Sequence, residues 1–141
     1  DAQESRGLGD VYKRQGYKNL CMLASLRRDI DKEDVAEAMR RVQLDPEDKR
    51  VYRKYSLGMK QKLGIANAIM GEPDIIVLDE PINALDEASV EQVKKVLVDL
   101  RERDHLIIIA CHDREELEYL SDEIIEIKDG TVVCKQKEGV A

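Results

Sequence analysis

Long apolar runs are missing from this chain. The longest, Leu106 to Cys111, has six residues, against the roughly 20 needed to cross a bilayer as a helix. A basic surplus is missing too. There are 23 Lys and Arg against 30 Asp and Glu, a formal net charge of -7. That balance argues against nucleic acid as the main partner, because phosphate binding calls for a basic face. The local basic stretch Lys49, Arg50, Arg53 and Lys54 reads as solvated surface. Cysteine is scarce and odd in number, at Cys21, Cys111 and Cys134. Such wide spacing excludes zinc-ligand pairs and suits reduced thiols. No secretory signal pattern stands at the start, and the chain has no internal repeat and no low-complexity tract.

What is present fits one ordinary domain of 141 residues. At 38% charged and 43% hydrophobic, the composition is globular rather than disordered. The spacing of Leu20, Leu23 and Leu26 predicts a helix over Tyr17 to Arg28. A second helix is predicted over Asp31 to Leu44, capped by Asp31, with Val35, Met39 and Val42 inward. After the polar connection "LDPEDKR", a third opens near Ser56 and ends at Gly71. Ile75–Asp79 reads as a buried strand. A helix from Glu87 to Arg103 follows, with Asp86 as N-cap and Val90, Val93, Leu97 and Leu100 as its stripe. "LIIIA" reads as a second buried strand. Asp113 and Glu116 open a short helix, and Asp129-Gly130 marks a hairpin. Strand, long helix, strand gives a parallel pair with a crossover, hence an α/β fold.

The stretch "IIVLDEPINALD" ends an apolar strand in two adjacent acids, Asp79 and Glu80. Adjacent carboxylates repel and are costly to desolvate. The usual compensation is a cation, a hydrogen-bond donor or a reaction that uses the charge. In open α/β sheets, ligands gather beyond the carboxyl ends of the strands. Asp79 and Glu80 stand at one such end and His112 just past the other, so all three are expected on one edge of the sheet. Taken singly, a histidine after a strand is commonly a surface or capping residue, and an acidic pair is commonly a turn. "YSLGMKQKLGIA" adds a helix N-terminus at Ser56 and Gly58, where free backbone N–H groups and the helix dipole favour an anion. Plain N-capping by Ser56 is the alternative reading.

Together these residues resemble the second half of an ATP-binding cassette (ABC) ATPase, closest to the ATPase subunits of drug or lantibiotic exporters. "GYKNL" at Gly16 to Leu20 resembles the start of that subfamily's helical region. The resemblance spans about Gly16 to Val133. It implies an α/β P-loop NTPase core, here incomplete, with parallel strands, a C-terminal hairpin and a helical subdomain. It further implies that Ser56, Leu57, Gly58 and Met59 form the signature loop, which meets ATP held by a second ATPase subunit. Asp79 is the implied Walker B acid, holding Mg2+ through water. Glu80 is the implied general base. Leu85 and Asp86 form the implied D-loop, and His112 is the implied switch histidine. The implied partners are a second, identical or different, ATPase subunit and a transmembrane permease, with the protein peripheral on the cytoplasmic face of the membrane.

Departures from the family pattern are also legible. Leu57 and Met59 replace a glycine and a glutamine of the signature, and Ile82 stands where a small polar residue is common. No G-x-x-x-x-G-K-[ST] occurs in the 141 residues, so the phosphate cradle is not among them. "DAQESRGLGDVYKRQ" carries no family motif. It is expected to be a leader foreign to the family, or else a divergent natural N-terminus. The expected organisation is 1–15 unassigned, 16–70 a helical subdomain with the signature helix, and 71–141 the C-terminal half of the ATPase core. The sheet is expected to show an unpaired edge and an uncovered apolar face. Two functions are carried forward: an ATP-binding and ATP-hydrolysing subunit of an exporter, or an inactive cassette fragment that acts as a partner-binding module.

Overall fold

The computed structural model describes residues 9–137, so the first eight residues of the unassigned 1–15 stretch and the last four of the chain lie outside them. In chain order come α1 (Gly16–Ala24), α2 (Lys32–Arg41), a 3-10 turn (Tyr52–Lys54) and α3 (Leu57–Ile69). Then follow β1 (Ile75–Asp79), α4 (Glu87–Glu102), β2 (Leu106–Ala110), α5 (Arg114–Leu120), β3 (Glu123–Lys128) and β4 (Thr131–Lys137).

Helix starts are set by short polar side chains that take the unpaired N–H groups of the first turn. Asp31 and Asp34 form a reciprocal capping box on α2, each backbone N–H donating to the other's carboxylate at 2.9 Å. The Ser56 hydroxyl accepts from the Met59 N–H at 3.1 Å, and Asp86 accepts from the Ser89 N–H at 2.8 Å. Asp113 accepts from the Glu116 N–H at 3.2 Å, but the reverse half of that box is not made. Glu116 turns instead to Lys94 of α4, 2.6 Å away.

The first helix is shorter than its leucine spacing predicts. It stops at Ala24, where Ser25 caps it and turns the chain. Only Leu20 of the expected stripe is buried, while Leu26 is 81% exposed. In α4 the stripe holds at Val93, Leu97 and Leu100, and Val96 joins it in the core.

β1 and β2 pair in parallel, and β3 and β4 form a separate antiparallel hairpin. At the hairpin tip Asp129 and Gly130 take φ of 50° and 75°, the backbone of a type I′ turn. A bulge between Glu126 and Ile127 was not signalled by the alternation of β3.

The parallel strands are half-buried rather than buried. Ile76 and Leu78 point into a core shared with Val35, Met39, Ile65, Ile69, Val93 and Leu97. Ile75, Val77, Leu106 and Ile108 face away from it and are exposed. The reason is topological: the helices cover one face of this pair, and among the described residues nothing covers the other. The core is continuous from α1 through α5. Among the described residues, no helix is long and apolar enough to cross a membrane.

Candidate functional site

The site is built at the carboxyl ends of β1 and β2. Their register pairs Ile75 with Leu106 and Asp79 with Ala110, so Glu80 and Cys111 leave the sheet side by side. The Glu80 N–H continues the ladder by donating to the Ala110 carbonyl at 2.8 Å. Two residues further along β2's strand direction, His112 comes within reach, and its Nδ1 lies 2.7 Å from Glu80 Oε1. A carboxylate can only accept, so Nδ1 carries the proton in this contact and Nε2 is the nitrogen left free. The His112 side chain is 80% exposed and that of Glu80 30%. The Glu80 carboxylate beside it holds the His112 imidazole above its ordinary pKa, which favours the imidazolium at neutral pH.

The second carboxylate oxygen of Glu80, Oε2, is buried with no hydrogen-bond partner among the described residues. A buried acceptor left unpaired is costly. Asp79 lies exposed at the end of β1, and its carboxylate makes no hydrogen bond or ion pair among the described residues. Cys111 is half-buried, and burial pushes its thiol pKa up, so it stays protonated beside Glu80. A cavity of about 410 Å3 opens beside His112 between the end of β2, α5 and the hairpin, with Leu117, Ile124, Ile127 and Cys134 among its walls.

The loop from Glu80 to Leu85 joins β1 to α4. It holds two non-glycine residues in the left-handed region, Glu80 at φ 46° and Ala84 at φ 62°, around a buried Pro81. Leu85 packs half-buried on the core, and Asp86 caps α4. The Ser89 backbone N–H holds the Asp86 carboxyl below its usual pKa, with a smaller contribution from the charge on Lys62.

Ser56, Leu57, Gly58 and Met59 form the first turn of α3. The structure brings this turn against the Glu80–Leu85 loop but not to the acids themselves: among the described residues no hydrogen bond or ion pair joins Ser56 to Asp79, Glu80 or His112. Leu57 is 72% exposed and projects from the helix start. The expected convergence of acid and histidine is therefore present, while the α3 turn forms a separate surface. One residue of the site has no sequence signal. Gln61 reaches from the second turn of α3 and donates from Nε2 to the Glu80 carbonyl at 2.9 Å.

Among the described residues, no three His, Cys, Asp or Glu side chains gather to hold a metal by themselves. A family model described as ABC transporter matches residues 3–83, more than half of the chain.

The chain belongs to the ABC transporter family.

The matched range takes in residues 3–15 of the stretch left unassigned by the sequence. Among curated ABC proteins, the bacitracin transport ATP-binding protein BcrA of Enterococcus faecalis is 43% identical over 119 residues, which are 84% of this chain and 39% of that protein. The ABC transporter ATP-binding protein YybJ of Bacillus subtilis, itself uncharacterised, is 36% identical over 121 residues, 86% of this chain and 56% of that protein. The lantibiotic transport ATP-binding protein SrtF of Streptococcus pyogenes is 29% identical over 141 residues, 96% of this chain and 62% of that protein. The chain thus spans about two-fifths to three-fifths of the length of the curated relatives it matches.

Proposed function

We propose that this chain supplies the hydrolytic half of an ATP-hydrolysing subunit in an ABC exporter of the drug or lantibiotic type. The observation that carries the reading is the Glu80–His112 pair at 2.7 Å beyond the carboxyl ends of the parallel strands. A carboxylate held by a histidine at the edge of the sheet is suited to orient water, and a base that orients water is what phosphoryl transfer to water requires. Mg2+ is commonly bound through one or two carboxylates together with waters and phosphate oxygens. The exposed, unpaired carboxylate of Asp79 fits that donor set, holding the ion through water. Bound MgATP supplies the phosphoryl group to be transferred and the charge that draws these residues to it.

In this reading the Glu80 carboxylate accepts a hydrogen bond from the attacking water and takes its proton. His112 Nδ1–H donates to Oε1 and fixes the carboxylate's orientation. Its Nε2, not engaged in that contact, can donate to an anionic oxygen when the ring is protonated. The α3 turn works in trans. Ser56 Oγ accepts from Met59 N–H and keeps its own O–H free to donate to a phosphate. The Leu57 and Gly58 backbone N–H groups belong to the unpaired set of a helix N-terminus. Leu85 and Asp86 end the loop that reaches toward the second subunit. The range 16–70 serves as the helical subdomain and 71–141 as half of the ATPase core. The partners are a second ATPase subunit, closing head to tail, and a permease, which places the protein on the cytoplasmic face of the membrane.

The test uses a version of the chain extended to carry a phosphate cradle. Glu80→Gln keeps the shape and removes the base. General-base catalysis is worth about 10²–10⁴ in rate, so turnover should collapse while MgATP binding survives. Asp79→Asn should lose Mg2+-dependent binding as well as turnover, because its charge offsets the metal. Parent-rate hydrolysis by Glu80→Gln would remove Glu80 from the role of base. A second reading, a partner-binding module without turnover, is favoured by the uncovered aliphatic face of β1 and β2.

A further inference from the structure

We propose that Gln61 is a positioning residue for Glu80, tying the start of α3 to the backbone of the acid that faces His112. The proposal rests on the reading of Glu80 as the base. It begins from the backbone. Glu80 sits at φ 46°, a left-handed conformation that is strained for a residue with a Cβ. Such a residue keeps that conformation only where its surroundings over-determine it.

Four ties do so here. The Glu80 N–H donates to Ala110 O at 2.8 Å, and the Glu80 carbonyl accepts from the Asn83 N–H at 3.2 Å. The side chain meets His112 at 2.7 Å. The fourth is Gln61 Nε2, donating to the same carbonyl at 2.9 Å. Since a carbonyl can only accept, the amide nitrogen of Gln61 is the end that faces it. The first three ties come from β2, the residues just past it and the loop itself. Gln61 alone among them comes from α3, so it is the tie through which displacement of the α3 turn reaches Glu80. The two segments also approach closely beside this bond, since a Cβ on Gly58 would lie 2.9 Å from the Ala84 carbonyl oxygen. The turn built for a phosphate and the base's own peptide are therefore joined within one subunit. Losing the Gln61 tie should free the Glu80 peptide to leave its strained conformation without unfolding α3.

Amide hydrogen exchange on the 141-residue chain tests this directly. Gln61→Met keeps the length of the side chain and removes its donors; Gln61→Glu, which keeps the shape and cannot donate when ionised, replaces it if the methionine variant does not fold. Exchange at Glu80 and Asn83 should quicken about tenfold, the size expected for one lost hydrogen bond, while Ile76 and Leu78 exchange as before. Asn67→Met, on the exposed side of α3, should change none of them. Uniform acceleration across β1, or none at Glu80 and Asn83, overturns the proposal. In the cradle-bearing version, Gln61→Met should lower kcat with MgATP affinity unchanged; unchanged kcat there, where Glu80→Gln abolishes turnover, also overturns it. The exchange result stands whether or not Glu80 proves to be the base, so the two readings fail separately.

Discussion

Gly58 and Ala84 meet where the first turn of α3 crosses the loop after β1: a Cβ at Gly58 would stand 2.9 Å from the Ala84 carbonyl oxygen, a backbone atom that cannot swing aside. Six residues further along the same helix, Gly64 is exposed with nothing within 4 Å of its would-be Cβ. The same substitution should therefore have opposite signs at the two positions. Gly64→Ala should stabilise the chain by about 0.5–1 kcal/mol through helix propensity. Gly58→Ala should destabilise it, overpacking of this kind costing about 1–3 kcal/mol. Urea unfolding midpoints of the two variants decide it, and a stabilised Gly58→Ala would refute the contact.

The parallel strands make a second pair of contrasting positions. Ile76 is 1% exposed and its neighbour Val77 is 65% exposed. Ile76→Ala should cost about 2–5 kcal/mol, as other buried aliphatic truncations do. Val77→Thr should change stability by no more than about 0.5 kcal/mol. Equal losses at both positions in guanidinium unfolding would mean that the outer face is covered.

His112 gives a pH dependence of known sign. Its folded-state pKa is raised by the Glu80 carboxylate, so the pair's contribution is complete below the ordinary histidine value and fades as pH rises through the folded-state value. Above the range where carboxyl groups protonate, the stability difference between the parent and Glu80→Gln should shrink steadily as pH climbs past the ordinary histidine range. An NMR titration of the His112 ring should show its pKa fall toward the ordinary value in Glu80→Gln. A gap that widens with pH would mean that the pair is not formed in solution.

Much of this arrangement is legible in the residues, and the exceptions have physical reasons. Asp31, Ser56, Asp86 and Asp113 announce their helices because capping is a local interaction between neighbours in sequence. The meeting of Glu80 and His112 is legible because parallel strands bring their carboxyl ends together whatever lies between them. Leu23 and Leu26 mislead because leucine spacing says which side chains share a face and not where the helix stops. Ile75 and Val77 mislead because an aliphatic strand looks the same whether one face or both are covered. Gln61 leaves no trace at all. Its bond to Glu80 joins residues 19 apart and depends on how α3 lies across the loop, which no local pattern encodes.

Nucleotide affinity follows from what the first turn of α3 can do alone. A helix start with one hydroxyl offers a fraction of the contacts that a phosphate cradle supplies. Calorimetry with MgATP on the 141-residue chain should show no micromolar binding. Micromolar affinity would mean that these residues form a nucleotide site without a cradle.

β2 is aliphatic on both faces, with Ile107 and Ile109 inward and Leu106 and Ile108 outward. A slip of one residue against β1 would exchange those faces at little hydrophobic penalty. Sequence composition therefore supplies β2 with no ruler. The ruler lies at its two ends, where the Leu106 N–H donates to Asp74 O at 2.9 Å and Ala110 O accepts from the Glu80 N–H at 2.8 Å. Each residue of slip would carry the chain about 3.3 Å along the strand and set Cys111 or Asp113 against Glu80 in place of the imidazole. The few residues between α4 and β2, which touch nothing reactive, thus act as a gauge block: their number decides which side chain is dealt to the acid, and a single insertion after Asp104 would change the chemistry without altering any residue of the site.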